Sequence, residues 1–170
     1  MQSVDPTPVW YAAYTRSKAE KRVAWELEKM GVDYYLPLIE TIRQWSDRKK
    51  KVIVPLIRSY IFVHITPKEH FPVLEVPGVV RILHFCNKPV PIPAWQIQNL
   101  KILLGAEVPM SVDCKQFVKG KEVRINQGQL TGLRGKILRV KGQHKLVISI
   151  SALDYNLTID IDPGFVVPIH

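Results

Sequence analysis

Gly120-Lys121-Glu122-Val123-Arg124-Ile125-Asn126-Gln127-Gly128-Gln129-Leu130-Thr131-Gly132-Leu133-Arg134-Gly135-Lys136-Ile137 places four glycines around an alternating strand, Glu122 to Asn126. A second strand follows over Lys136-Ile137-Leu138-Arg139-Val140. Strand, tight glycine loop and strand predict the start of a small, strongly bent β-barrel. Glycine is needed where the chain takes φ > 0 or where two backbones approach closely. Downstream, Val147-Ile148-Ser149-Ile150-Ser151 and Leu157-Thr158-Ile159-Asp160-Ile161 alternate at period two with β-branched residues, which favours strands. Lys141-Gly142-Gln143-His144-Lys145 reads as a hairpin turn, and Phe165 to Val167 as a last strand. From about Cys114 onward the chain is expected to be all β.

The preceding residues read differently. Val9-Trp10-Tyr11-Ala12-Ala13-Tyr14-Thr15 predicts a first strand. Ser17 and Glu20 have capping-box spacing, and Ala19, Val23, Leu27 and Met30 then recur at helical spacing up to Gly31. Strands are expected from Val32 to Trp45, broken near Pro37, and from Val52 to Ile65, broken at Pro55. Between them Ser46-Asp47-Arg48-Lys49-Lys50-Lys51 forms a basic tip. Thr66-Pro67-Lys68-Glu69 is a second capping box ahead of a short helix to about Val76. Val79 to Phe85 reads as a strand, and the proline-rich Asn87 to Pro93 as a connector. Trp95, Ile97, Leu100 and Leu104 predict a third helix ending at Gly105. Residues 1–105 therefore read as an antiparallel sheet flanked by helices, 106–113 as a linker and 114–170 as a small all-β module. The fold class is α+β.

The chain has 170 residues, a hydrophobic content of 46% and a net charge of +9. Such a charge favours polyanionic partners. No apolar run approaches the roughly 20 residues that span a bilayer. Met1-Gln2-Ser3-Val4-Asp5-Pro6 has neither the basic nor the apolar region of a signal peptide, so a cytoplasmic location is expected. Cys86 and Cys114 stand far apart without metal-ligand spacing. His64, His70, His84, His144 and His170 are scattered, and no phosphate-cradling GxxxxGK[ST] loop is present. Neither a catalytic constellation nor a cofactor or metal site is expected.

The whole chain resembles the NusG family of transcription elongation factors, with an N-terminal NGN domain and a C-terminal KOW barrel. Four stretches carry the resemblance. Trp10 to Thr15 leads into a helix containing Glu20-Lys21-Arg22-Val23. Tyr60-Ile61-Phe62-Val63 fits the family's FPxYxFV strand. Pro77-Gly78-Val79 precedes Lys88-Pro89-Val90-Pro91-Ile92-Pro93, and the glycine pattern lies behind them. The family's proline-x before the tyrosine is here Arg58-Ser59. The extended hairpin and Ser59-Tyr60-Ile61-Phe62-Val63 look most like the specialised UpxY-type paralogues, which act on surface-polysaccharide operons.

The resemblance implies a non-enzymatic antitermination role without cofactors. NGN domains bind the clamp helices of the RNA polymerase β′ subunit and suppress pausing or termination. Tyr60 and Phe62 share a sheet face. On the residues alone, aligned aromatics belong to a core more often than to an interface. With the resemblance, Tyr60, Phe62 and Tyr14 are the expected polymerase-binding residues. Arg16, Lys18, Arg22 and Arg81 are expected to meet non-template DNA. The KOW module is expected to recruit ribosomal protein S10 or Rho through Leu130, Thr131, Leu133, Arg134 and Phe165. In one specialised paralogue the same segment folds as a helical hairpin, but the period-two alternation here favours the barrel. An alternative is a KOW-containing RNA-binding or ribosome-associated protein, with Lys119, Lys121, Arg124, Arg134, Lys136 and Arg139 as a phosphate-binding stripe.

Overall fold

Val9–Thr15 is rich in aromatic and β-branched residues and forms β1, an inner strand. α1 (Glu20–Lys29), β2 (Asp33–Tyr35), β3 (Leu38–Gln44), β4 (Lys49–Pro55) and β5 (Tyr60–Ile65) follow. A 3-10 turn over Pro67–Glu69 leads into α2 (His70–Leu74), β6 (Val79–Ile82), β7 (His84–Phe85), β8 (Lys88–Pro89) and β9 (Pro91–Ile92). Then come α3 (Ala94–Gly105), β10 (Ser111–Asp113), β11 (Lys121–Ile125), β12 (Arg134–Val140), β13 (Gln143–Ile150), β14 (Tyr155–Asp160) and β15 (Val166–Pro168). The computed structural model describes residues 7–44, 48–106, 108–113, 120–140 and 143–169. Trp45 at the end of the expected strand, Ser46 and Asp47 of the expected tip, Cys114, Lys119 and the Lys141-Gly142 part of the expected turn lie outside these residues. By internal contacts the chain divides into Met1–Pro91 and Ile92–His170.

In the first unit the hydrogen-bonded path runs β2-β5-β1-β6, antiparallel at each step. Alternation puts Tyr11, Ala13, Ile61, Val63 and Ile65 on one face. Val23, Ala24 and Leu27 of α1, Val73 of α2, and Val76 and Ile82 complete a buried core there. Each fully buried aliphatic side chain contributes about 1.5–3 kcal/mol.

The capping box expected at Ser17 does not form. Lys18 takes a left-handed φ of 63°, so the chain turns before the helix, and Ala19 holds the N-cap position without a side-chain bond. Glu20 is buried, and its carboxylate accepts the Ser59 amide at 2.7 Å. Ser59 itself has φ 60°. A serine held left-handed carries about 1–2 kcal/mol of strain, which the charge-assisted bond from Glu20 offsets. The second capping box does form, with the Thr66 amide and hydroxyl donating to Glu69 Oε2 at 2.7 and 2.8 Å. These bonds hold the Glu69 carboxyl below its usual range.

Among the described residues β3 and β4 pair only with each other, from Leu38 opposite Pro55 to Gln44 opposite Lys49. They make a ribbon rather than a continuation of the main sheet. Pro37 and Leu56 close its base, where the Leu56 amide donates to the Pro37 carbonyl at 2.8 Å. Lys21 Nζ donates to the Ile53 carbonyl at 2.7 Å.

The second unit holds an antiparallel sheet in the order β10-β14-β13-β12-β11-β15. Among its described residues the chain after α3 is β-structure with two 3-10 turns, as the alternation predicts. Ser111–Asp113, in the segment expected as linker, pairs with β14. α3, expected at the end of the first module, belongs by its contacts to the second unit. Asn99 Nδ2 donates to the Arg134 carbonyl at 2.7 Å, and the Arg134 amide donates to Asn99 Oδ1 at 3.0 Å. Gln96 repeats the pattern on Ser151, donating to its hydroxyl at 3.0 Å and accepting its amide at 3.2 Å.

Candidate interaction face

The face of the first sheet opposite α1 is built in cross-strand rows. Register places Tyr60 of β5 opposite Tyr14 of β1, and Tyr14 opposite Arg81 of β6. The tyrosine rings meet edge to face with centroids 5.3 Å apart. The Arg81 guanidinium lies 5.4 Å from the Tyr14 ring centre. Both contacts hold the rings in place, at about 0.5–1.5 kcal/mol each. Both tyrosines are half-buried and Arg81 is exposed. The row combines apolar area, two phenols and a cation, a combination found at the anchors of protein interfaces.

The next row is Tyr35, Phe62 and Ala12. Phe62 is fully buried and stacks on Tyr35 with centroids 6.5 Å apart. Its ring is therefore not presented to solvent. Burial pushes the Tyr35 phenol up to about 12. The third row joins Trp10, stacked on His64 at 4.8 Å, with Asp33, whose carboxylate lies 3.1 Å from His64 Nδ1. Trp10, Tyr35 and His64 were not singled out from the sequence. Their signal was present as period two along residues 10, 12 and 14 and along 60, 62 and 64.

The raised Tyr35 value is testable. Because the folded pKa lies above the ordinary 10, Tyr35 adds stability that is full below pH 10. That stability is lost as pH rises through about 12, since the unfolded chain ionises first. Tyrosinate absorbance should show a late step near pH 12 that Tyr35→Phe removes. A wild-type titration complete by about pH 11 would contradict the burial.

Arg16, Lys18 and Arg22 are all exposed around the turn between β1 and α1. The Arg16 amide donates to the Gly78 carbonyl at 2.8 Å, which fixes the start of this turn. Gly78 has φ 107°, and a Cβ there would sit 3.0 Å from Val23 and 3.2 Å from Ala19. Only glycine lets the Pro77-Gly78 turn lie this close to α1. Arg16 thus leaves the end of β1 beside the Tyr14 and Arg81 pair. Arg22 lies within the first turn of α1.

In the second unit the expected partner residues gather at the end of β11. The Gly132 amide donates to the Ile125 carbonyl at 2.8 Å, and the Asn126 amide to the Phe165 carbonyl at 3.0 Å. Phe165 and Thr131 are exposed and Leu130 is half-buried. Leu133 is fully buried, so it packs the interior. The side chain of Arg134 faces solvent while its backbone is held by Asn99.

Comparison with known proteins adds the following. A family model described as "Transcription termination factor nusG" matches residues 8–101. The transcription termination/antitermination protein NusG of Rickettsia prowazekii is 26% identical over 166 residues, covering 90% of this chain and 86% of that protein. The NusG of Lactococcus lactis is 25% identical, covering 90% and 89%. A solved structure of Thermotoga maritima NusG, concerned with its domain interaction, aligns with a TM-score of 0.50 at 22% identity. That alignment covers 96% of this chain and 98% of the other, and supports the fold. Among the described residues no helix is long and apolar enough to cross a membrane.

Proposed function

This chain belongs to the NusG family, and on that premise we propose that it is a NusG-like elongation factor that binds RNA polymerase and suppresses pausing or termination. The observation that carries the proposal is the row of half-buried Tyr60 and Tyr14 with exposed Arg81, braced ring to ring and cation to ring, within the segment that the family model matches. Its natural occupant is the helical β′ clamp of the polymerase, with the buried Phe62 in the adjoining row. Arg16, Lys18 and Arg22, with Arg81, lie on the non-template strand in this reading. A cytoplasmic setting goes with it. The NGN-like module then lies ahead of α3, and the KOW-type module is the β-structure from Ser111 onward, in the same unit as α3. The KOW-type module offers Leu130, Thr131, Arg134 and Phe165 to ribosomal protein S10 or Rho. The long β3–β4 ribbon and the Ser59 to Val63 strand support a specialised UpxY-type role on surface-polysaccharide operons.

The test is co-purification with RNA polymerase. The wild-type chain should retain the polymerase, and Tyr60→Ala should lower the affinity at least about tenfold, as truncation of an aromatic anchor does. Equal retention by the two proteins, or none by the wild type, would overturn the assignment.

A further inference from the structure

A cleft of about 360 Å³ opens within the second unit, on the sheet face that carries Arg134 and Lys136 of β12. That volume lies at the lower end of the range for small-molecule sites, about 300–1,000 Å³. Trp95, 41% exposed, and Ile169 form its apolar walls. The paired bonds between Gln96 and Ser151 hold the first turn of α3 beside the end of β13, which fixes the position of Trp95. Ile169 is held by its amide, which donates to the Glu122 carbonyl at 3.1 Å. Between these walls the floor is polar. The Ser149 hydroxyl donates to Asn156 Oδ1 at 2.5 Å, across the β13–β14 pair.

The charges of the lining are balanced but separated. Arg134 and Lys136 stand two residues apart on one face of β12, with Glu122 opposite Lys136. Asp154 lies on the other side of β13, in the left-handed turn (φ 48°) that leads into β14. Among the described residues none of these four forms an ion pair. β12 and β14 flank β13, so the Arg134 and Asp154 ends lie about 10 Å apart, two strand spacings. From this we propose that the cleft binds a short zwitterionic peptide with an apolar side chain. Its carboxylate meets Arg134 and Lys136, its amino group meets Asp154, and its side chain lies against Trp95 and Ile169. Two or three extended residues span at most about 7–11 Å, which matches the separation. A free amino acid carries both charges on one carbon and reaches only one end. A polyphosphate would face Glu122 and Asp154 as well as the cations, an arrangement that selects against it. The site uses no polymerase contact, so it stands or falls separately from the function proposed above.

The experiment is isothermal titration calorimetry of the full chain with the dipeptide leucyl-phenylalanine. The wild type should bind it with a Kd below about 1 mM. Acetylating its amino group or amidating its carboxyl should each weaken binding about tenfold, the loss expected for one charge-assisted hydrogen bond. Free phenylalanine should bind about tenfold more weakly than the dipeptide for the same reason. Arg134→Gln should weaken the free dipeptide about tenfold and leave the amidated one unchanged. Asp154→Asn should weaken the free dipeptide equally and leave the acetylated one unchanged. Both side chains are exposed, so both variants should keep the wild-type melting temperature. Absence of wild-type binding would overturn the site. So would equal affinity for free and capped dipeptides, equal affinity for phenylalanine, or variant losses that do not depend on which end is capped.

Discussion

Gly135→Ala is expected to destabilise the second unit by roughly 2–4 kcal/mol, because the added methyl has no space. A Cβ at this position would lie 2.5 Å from the Val147 carbonyl oxygen and 3.1 Å from Leu146. The carbonyl is backbone of the neighbouring strand, so it cannot swing aside as a flexible side chain would. Relief requires β12 and β13 to separate, which breaks pairs running from Lys136 opposite Val147 to Val140 opposite Gln143. Thermal melting should show a midpoint lower by roughly 10–20 °C. Gly128→Ala is the internal comparison. Gly128 has φ 78° and nothing within 4 Å of its Cβ position. The cost there is conformational alone, about 1 kcal/mol. Equal melting temperatures for the two variants would refute close approach as the reason for glycine at 135.

Asn99→Ala is expected to destabilise the same unit by about 2–3 kcal/mol. The side chain is 1% exposed and satisfies both the amide and the carbonyl of Arg134. Removing it leaves a donor and an acceptor without partners and opens a gap behind α3. Asn99→Asp should be at least as damaging, since the carboxylate keeps the bond from the amide but faces the Arg134 carbonyl with negative charge. Gln96→Ala should have a smaller effect, because Ser151 is exposed and water replaces the lost bonds. Amide exchange at Arg134 should accelerate in Asn99→Ala. A melting curve superimposable on the wild type would show that α3 is not held by this amide.

The elements were largely legible from pattern alone. Hydrophobic alternation and turn residues located the strands of both sheets, and Thr66 with Glu69 announced its capping box. Failures arose where one residue had two possible partners. Glu20 had the spacing to cap its own helix, yet it accepts the Ser59 amide 39 positions away, a pairing no local window contains. Asn99 and Gln96 are polar positions in an apolar helix, and their meaning depends on backbone groups distant in sequence. Alternation correctly put Tyr60 and Phe62 on one face. It carried no information on depth, which decides that Tyr60 stays half open while Phe62 is buried. Arg81 was legible only as a charge; its place over Tyr14 comes from the register of β1 with β6.

The ribbon's separate hydrogen-bonding has an evolutionary consequence. Among the described residues its strands pair only with each other, and its links to the rest of the unit include the base at Pro37 and Leu56 and the Lys21 tether. Such an arm can gain or lose residues at its far end without changing any register in the main sheet. Loop closure adds only about 0.6 kcal/mol for each doubling of length. Descendants of one ancestral sheet can therefore diverge in the reach and charge of this arm while keeping the aromatic rows unchanged. The ribbon is the part of the chain whose reach and charge can change while the pairing of the main sheet stays as it is.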